Sequence, residues 1–408
     1  MDEKWCISPL MGKVAIHPSA AVAELLRRRR EELGLSLRDV EARSAAAGER
    51  VHFATLARVE QGKAEPGTRR LWRLFKLYDL PIQLAADLLE LEESADGEAL
   101  TGSFEELGRE GAQHWKAGNL RKALAHFFAV RAKVPANDAE RVNRQRALLG
   151  MAVVAGSLGR MSLSRYIVEG LLFEPPDPSI VVATLVQASK CWQWLGSADG
   201  ALGFIARAEA QLEASQHRER AWVFHQKASI LAECGDAAAA SVAVKSAVES
   251  YRRARDAHGE AAALGIQVRV LVVRQEWKAA LRAARAGKAV ARQHGFERLC
   301  ASRGLDEARA LRELSRAEEA LVVLKEVLAW AIQKDDRVVR FYAHHALWKT
   351  YDALGDDLRA RAEFRAAEDH VRFVDAVTPE TREVRSPRSE SAAVSEPREK
   401  RSKRRRAS

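Results

Sequence analysis

From residue 104 onward the chain repeats a turn signal about every 40 residues, and no other feature constrains its fold as much. Gly118-Asn119, Gly159-Arg160, Gly196-Ser197 and Gly235-Asp236 stand 41, 37 and 39 residues apart. The 120 residues from Gly235 to Gly355-Asp356 divide into three of 40, with Gln275 and Ser315 at the two turns that lack glycine. Self-similarity at such a period marks a stacked array of one supersecondary unit. Five residues after the turns stand Ala123, Ser164, Ala201, Ala240, Ala280, Ala320 and Ala360, small enough for two helices to approach closely. Four residues further, on the same helical face, stand Phe127, Val168, Ile205, Val244, Ala284, Leu324 and Phe364. The unit is therefore a helical hairpin. Aromatics make up only 6% of the chain and no strand-like alternation occurs, so the expected fold class is all-α. About seven hairpins over residues 104–375 should form an α-solenoid with a concave groove, each unit touching only its neighbours.

The unit resembles the tetratricopeptide repeat, a hairpin with small residues at set positions and a proline at its end. The first copy matches best, with Gly111, Gly118-Asn119, Ala123, Phe127 and Pro135 where that family places Gly, the turn, Ala, an aromatic and Pro; later copies are longer and mostly lose the proline. The resemblance implies a right-handed superhelix. It puts Lys190, Gln193, Trp194, Trp222, His225, Arg269, Arg309, Arg312, Tyr342, His345 and Lys349 on the concave face. Cations there outnumber Glu233, Glu313 and Asp352 and aromatics are interleaved, as in a groove for an extended, acidic or C-terminal peptide. For Trp194 and Trp222 taken singly, space-filling between hairpins is the competing reading.

Ahead of the array lie five short amphipathic segments: Val22 to Leu33, Leu37 to Ser44, about His52 to Glu60, Thr68 to Tyr78 and Pro81 to Leu91. They make a small domain over residues 20–92. Gly, Ser and acidic residues without periodicity then mark a linker at 93–103. Ser36 and Asp39 have the spacing of a capping box, and Gly62 suits a left-handed C-cap with Pro66 as a stop beyond it. Two short helices joined by a turn and followed by another helix are the helix-turn-helix arrangement.

At Gly34-Leu35-Ser36 and at Arg58-Val59-Glu60-Gln61-Gly62-Lys63-Ala64-Glu65-Pro66 the sequence resembles the Cro-type (XRE family) helix-turn-helix transcription regulators. It departs from them at Leu37, where the family usually has a phosphate-contacting Gln, and in a turn, Ala45 to Val51, about five residues longer than usual. The resemblance implies double-stranded DNA as partner and a recognition helix in the major groove, with Arg50, His52, Phe53 and Thr55 at its base-facing end and Arg58 one turn further. Arg38, Arg43, Lys63, Arg69 and Arg70 would contact phosphates, and Glu60 would tie the motif together internally. A capping role for His52 and a core role for Phe53 are the competing readings. From Arg27 to Lys76 there are 13 basic residues against 7 acidic ones, which favours a nucleic-acid face over an ordinary solvated one.

The net charge of +10 points the same way, to an anionic partner. Residues 1–19 carry no periodic pattern and are expected as a loose leader. Residues 376–408 are expected as a disordered basic tail, since from Thr378 the chain has ten Lys/Arg, five acidic residues and three prolines with almost nothing apolar. The longest near-apolar run, Ala147 to Gly159, has 13 residues, too few to cross a bilayer, so no membrane partner is expected. Asp2 and Glu3 oppose a secretory signal, and the expected location is the cytoplasm, with the nucleoid. Cys6, Cys191, Cys234 and Cys300 lie far apart and read as buried small hydrophobes; neither they nor His344-His345 suggest a metal site. No phosphate-binding loop, nucleophile elbow or zinc-peptidase motif occurs, so neither an enzyme nor a cofactor is expected.

A helix-turn-helix head on a helical-repeat body resembles bacterial transcription regulators whose repeats sense a ligand and control a dimeric head. A homodimer that binds a peptide or protein in its repeat groove is thus expected. Peptide-pheromone regulators share this layout but hold the peptide through asparagines, of which this chain has only Asn119, Asn137 and Asn143. The alternatives are a tetratricopeptide-type interaction scaffold whose head does not read DNA, and a regulator whose head only dimerises while its tail supplies non-specific nucleic-acid affinity.

Overall fold

At each turn of the repeat the backbone crosses into the left-handed region. Gly118, Gly159, Gly196, Gly235 and Gly355 have φ of 77, 81, 93, 84 and 75°, and Gln275 and Ser315 take 59°. The two turns without glycine therefore keep the same conformation at a steric cost that glycine avoids. The computed structural model describes residues 19–96, 100–173, 176–213 and 216–386, and every regular element among them is helical. The expected leader and the last 22 residues of the expected tail lie outside the described residues, apart from Ser19.

The chain forms two compact units that part between Ala99 and Leu100. The first contains α1 (Ala20–Glu32), α2 (Leu37–Ala46), α3 (Phe53–Glu60), α4 (Thr68–Leu77) and α5 (Gln83–Asp96). Leu25, Leu26, Leu56, Leu74, Phe75 and Tyr78 are its fully buried centre. Pro81 stands two residues before α5 rather than in its first turn, and α5 runs to Asp96, into the stretch read as linker.

The second unit is a run of seven hairpins: α6 (Phe104–Lys116) with α7 (Leu120–Ala132), α8 (Asp138–Ser157) with α9 (Met161–Phe173), α10 (Pro178–Trp194) with α11 (Ala198–Glu209), and α12 (His217–Glu233) with α13 (Ala237–Arg253). There follow α14 (Ala257–Val273) with α15 (Trp277–Gln293), α16 (Glu297–Glu313) with α17 (Ala317–Gln333), and α18 (Arg337–Leu354) with α19 (Asp357–Val371). The small residues five past each turn are buried where paired helices meet. In the first hairpin a Cβ on Gly111 would stand 2.8 Å from the Phe127 ring, so Phe127 packs where only glycine leaves room.

The hairpins do not touch only their neighbours, as nearest-neighbour stacking predicts. The coil is tight enough for its early turns to meet its late helices. Arg298 on α16 donates to the Ser157 carbonyl at the end of α8 (2.7 Å), Arg121 on α7 pairs with Asp335 (2.9 Å), and Gly118 lies against Trp330. The expectation of a disordered tail from residue 376 also fails over its first part. Val374, Ala376 and Val384 are buried, and residues 379–385 form α20 (Pro379–Arg385). Apolar residues spaced through a charged stretch are enough to order it once an existing surface receives them.

This C-terminal strap is fastened by hydrogen bonds far apart in sequence. The Asp375 carboxylate accepts from the Met161 and Ser162 N–H groups (2.6 Å each), capping the otherwise open start of α9. The Asp375 N–H donates to the Gly159 carbonyl (3.0 Å), and the Val377 N–H to the Trp194 carbonyl (2.6 Å). No helix among the described residues is long and apolar enough to cross a membrane. Cys191 is buried, as expected, and burial pushes its thiol up to about 11, whereas Cys300 is half-buried and Cys234 exposed, contrary to their reading as core residues; Cys6 lies outside the described residues. Asp375→Ala should strip two partly buried N–H groups of their acceptor and lower stability by about 1 kcal/mol. Urea unfolding of the full chain measures this; an unchanged midpoint would mean that the strap does not fasten the coil.

Candidate nucleic-acid interface and repeat chamber

In the head, two carboxylates fix the helix-turn-helix from inside. Glu60, at the end of α3, accepts from Arg30 Nε and Nη2 (2.8 Å each), while Arg30 Nη1 donates to the Leu35 carbonyl (2.9 Å). Both side chains are largely buried, and the hydrogen bond to Glu60 raises the already high pKa of Arg30. This arrangement ties α1, the loop before α2 and α3 together. Glu41 on α2 holds the other end of α3. It pairs with Arg50 (2.6 Å) and His52 Nδ1 (3.1 Å) and lies within reach of the Phe53 N–H (3.4 Å). The long turn between α2 and α3 is pinned by Ser44, whose Oγ donates to the Glu41 carbonyl and accepts from the Val51 N–H (2.9 Å each).

The capping box forms as its spacing predicts: the Asp39 N–H donates to Ser36 Oγ (3.2 Å), and the Ser36 N–H to Asp39 Oδ2 (2.8 Å). Gly62 takes φ 65° directly after α3, and the Lys63 N–H closes the helix end on the Arg58 carbonyl (2.8 Å). His52 occupies the N-cap position of α3, but its side chain makes no cap hydrogen bond. Phe53 is 44% exposed, so it is not core, and Arg38 lies over its ring at 5.8 Å. Thr55 is half-buried, while Arg38, Arg43, Arg58, Lys63, Arg69 and Arg70 are exposed. Arg69 pairs with Glu49 (3.3 Å), whereas Arg58, Lys63 and Arg70 have no carboxylate partner among the described residues. Arg50 and His52 are thus held by Glu41, and Arg58 stands free on the outer face of α3.

In the repeat unit the expected groove residues separate into four groups. Lys190, Trp194, Trp222, His225 and Arg269 line a chamber of about 760 Å³ inside the coil. Gln193 is buried in a polar network instead, donating to Ser229 Oγ (3.1 Å) and Glu233 (2.6 Å) and accepting from Gln226 (2.7 Å). Tyr342, His345 and Lys349 are not open groove residues: the strap covers them, Tyr342 donating to Thr378 (3.4 Å) and His345 and Lys349 both meeting Glu383. Arg312 pairs with Glu313 (3.3 Å), and Arg309 is exposed. His344 turns to Glu363 (2.7 Å), away from the partner of His345. Sequence reasoning missed the carboxylates Glu41, Glu49 and Glu383, because an acidic residue next to cations looks the same in sequence whether it is solvated or buried.

Residues 26–84 match the helix-turn-helix family model, and the head is a helix-turn-helix domain of the Cro type. The protein is thus a helix-turn-helix head followed by a helical-repeat body. No curated protein matches the chain. Among solved structures, PlcR of Bacillus thuringiensis, in complex with the peptide PapR7 and DNA, is 11% identical over 79% of this chain and 99% of its own, with a TM-score of 0.46. The apo form of RapI is 13% identical over 66% of this chain and 76% of its own, with a TM-score of 0.42. A signal transduction ATPase with numerous domains and a tetratricopeptide repeat sensor, from Pyrococcus horikoshii, is 15% identical over 63% of this chain and 40% of its own, also at 0.42. Scores this low do not fix a shared topology.

Glu60→Ala should leave the Arg30 guanidinium buried without its partner and cost the head about 3 kcal/mol. Hydrogen exchange across α1 to α4 of the full chain measures it; unchanged protection would mean that the pair holds nothing. The hold of Glu41 on α3 has a definite pH sense. Arg50 keeps the Glu41 carboxyl below its usual value, so its contribution is complete above the ordinary carboxylate range and is lost as pH falls through that lowered value.

Proposed function

We propose that this protein is a sequence-specific DNA-binding transcription regulator, in which α3 reads the major groove and the repeat body receives a peptide, protein or other ligand that controls the head. The observation that carries this reading is the state of α3. Both its ends are locked by buried carboxylates, yet Phe53 and Arg58 on it are exposed, with Arg38 over the Phe53 ring, and Arg43, Lys63 and Arg70 of the same domain are exposed cations. A helix held rigidly from behind and left basic in front suits insertion between phosphate strands. Arg58 is the base-reading residue on this proposal. Arg38, Arg43, Lys63, Arg69 and Arg70 contact phosphates, and Arg50 and His52 act chiefly through the turn that they fix with Glu41. The role is regulatory, not enzymatic, and it places the protein at the nucleoid.

A single head of this size covers few base pairs. The protein therefore works as a homodimer on a two-fold site whose half-sites are about one helical turn apart. Eight cations in residues 387–408 add affinity without selectivity.

Two variants separate these contributions. Arg58→Ala should lose about 1–3 kcal/mol of discrimination between selected and random duplex while non-specific binding stays nearly constant. Truncation after Ser386 should weaken all duplexes together and flatten the salt slope by about 0.9 per lost phosphate contact. Gel shifts at several salt concentrations read both effects. If truncation abolishes all binding and Arg58→Ala changes nothing, the head does not read sequence and the protein is an interaction scaffold.

A further inference from the structure

The chamber of the repeat body is shaped and charged unlike a channel for an extended chain. Its lining runs from α6 and α8 through α10, α12 and α14 to α16, so opposite arcs of the coil face each other across it. The arcs also touch. The Trp115 and His258 rings are 4.8 Å apart, and Arg298 bridges from Asp336 (2.6 Å) to the Ser157 carbonyl (2.7 Å). At the rim the strap is bonded to the last carbonyl of α10, that of Trp194. These contacts interrupt the path along the concave face that an extended peptide needs. A volume of about 760 Å³ is that of a pocket for a single compact organic molecule.

The charge inside is one-sided. Arg109, Arg146, Lys190, Arg269 and Arg303 line the chamber against one carboxylate, that of Glu105. Arg303 is partly answered by Asp306 (3.0 Å), and Arg146 donates to Ser179 (3.2 Å). Arg269 has a neutral partner, Ser229 Oγ at 3.0 Å, and Lys190 has no ion pair among the described residues. Burial pushes the pKa of both Lys190 and Arg269 down, and it pushes His225 beside them down to about 3, so the imidazole is neutral with its Nδ1 unbonded. The carboxylates of Asp306 and Glu233 act on Arg269 through space without an ion pair to it, and Lys190 has no such carboxylate, so both cations are under-compensated in a half-buried site and an incoming anion lowers that cost. Beside them stand the indoles of Trp194 and Trp222 and the apolar side chains of Val186, Ile266 and Leu299.

We infer that the repeat chamber binds a compact aromatic organic anion, with Lys190 and Arg269 meeting its negative group and Trp194 and Trp222 its ring. This deepens the regulator reading by naming the class of ligand that the body receives, and it rests on that reading for its role though not for its chemistry. Carboxylate, sulfonate and phosphate share the chemistry that these cations recognise.

The test uses two fluorescent probes on the full chain: 8-anilinonaphthalene-1-sulfonate and N-phenyl-1-naphthylamine, which has the same rings without the anion. The sulfonate should bind at one site and more tightly than the neutral probe. Lys190→Met and Arg269→Met should each weaken the sulfonate about tenfold or more while leaving the neutral probe little changed. Both variants should melt close to the parent or higher, since each removes a half-buried cation that makes no ion pair. The inference is overturned if the sulfonate binds the variants as well as the parent, if the two probes bind alike, or if both variants melt well below the parent, which would make the cations structural. A soluble glutamate-rich decapeptide that displaces the sulfonate at lower concentration than benzoate does would likewise overturn it, in favour of an extended ligand. DNA selection with Arg58→Ala is scored separately. Loss of probe discrimination with intact operator reading sinks only the chamber assignment, and the reverse sinks only the regulator.

Discussion

The repeat body depends on one local constraint: a left-handed turn residue followed, five positions on, by a side chain no larger than alanine or serine. The turn reverses the chain, and the small residue lets the returning helix lie close against its partner, so every hairpin closes in the same way although its helices vary in length. Similar hairpins stacked in series give a curved array. That curvature brings the turn at Gly118 against α16 and α17 and the turn at Gly159 against the segment after α19. The chamber, the contacts across it and the seat for the strap all follow from how tightly the hairpins coil, and the coil tightness follows from how closely the helices pair.

Buried charge is used in two opposite ways. In the head, Glu60 and Arg30 satisfy one another within a protein interior, and Glu41 is answered by Arg50 and His52. Such pairs contribute little net stability compared with apolar packing, but once present they fix geometry, because losing either partner leaves an uncompensated charge. In the chamber the cations outnumber their partners, so the same physics makes the site costly when empty and favourable toward anions. The strap sits between these cases, with Glu383 meeting both His345 and Lys349. Without that carboxylate the last hairpin would present two basic groups to solvent, as an open groove does.

The strap also changes what kind of protein the body is. An open solenoid unravels from its ends, since the terminal units have one neighbour each. Here Asp375 and Val377 bond to turns of the second and third hairpins, so the C-terminal end of the array is fastened to its beginning and long-range contacts are added to a fold otherwise built from local ones.

The sequence by itself determined the elements and their order. The 40-residue period, the small residues after each turn, the capping box at Ser36 and the C-cap at Gly62 are all local, and each was visible because helix geometry relates residues only a few positions apart. It determined the helix-turn-helix head for the same reason, through spacings within nine residues of one another. What it did not determine is which charges would be answered. Lys190 and Lys349 have the same side chain and both sit on the first helix of a hairpin; one lines the chamber without an ion pair, while the other meets Glu383, 34 residues further along the chain. The ordering of residues 376–386 was hidden likewise, because a segment with so few apolar residues has no core of its own and folds only where the finished superhelix offers one. Tertiary structure decided these points because curvature accumulates over many hairpins, and no window of sequence short enough to show periodicity contains the two ends that curvature brings together.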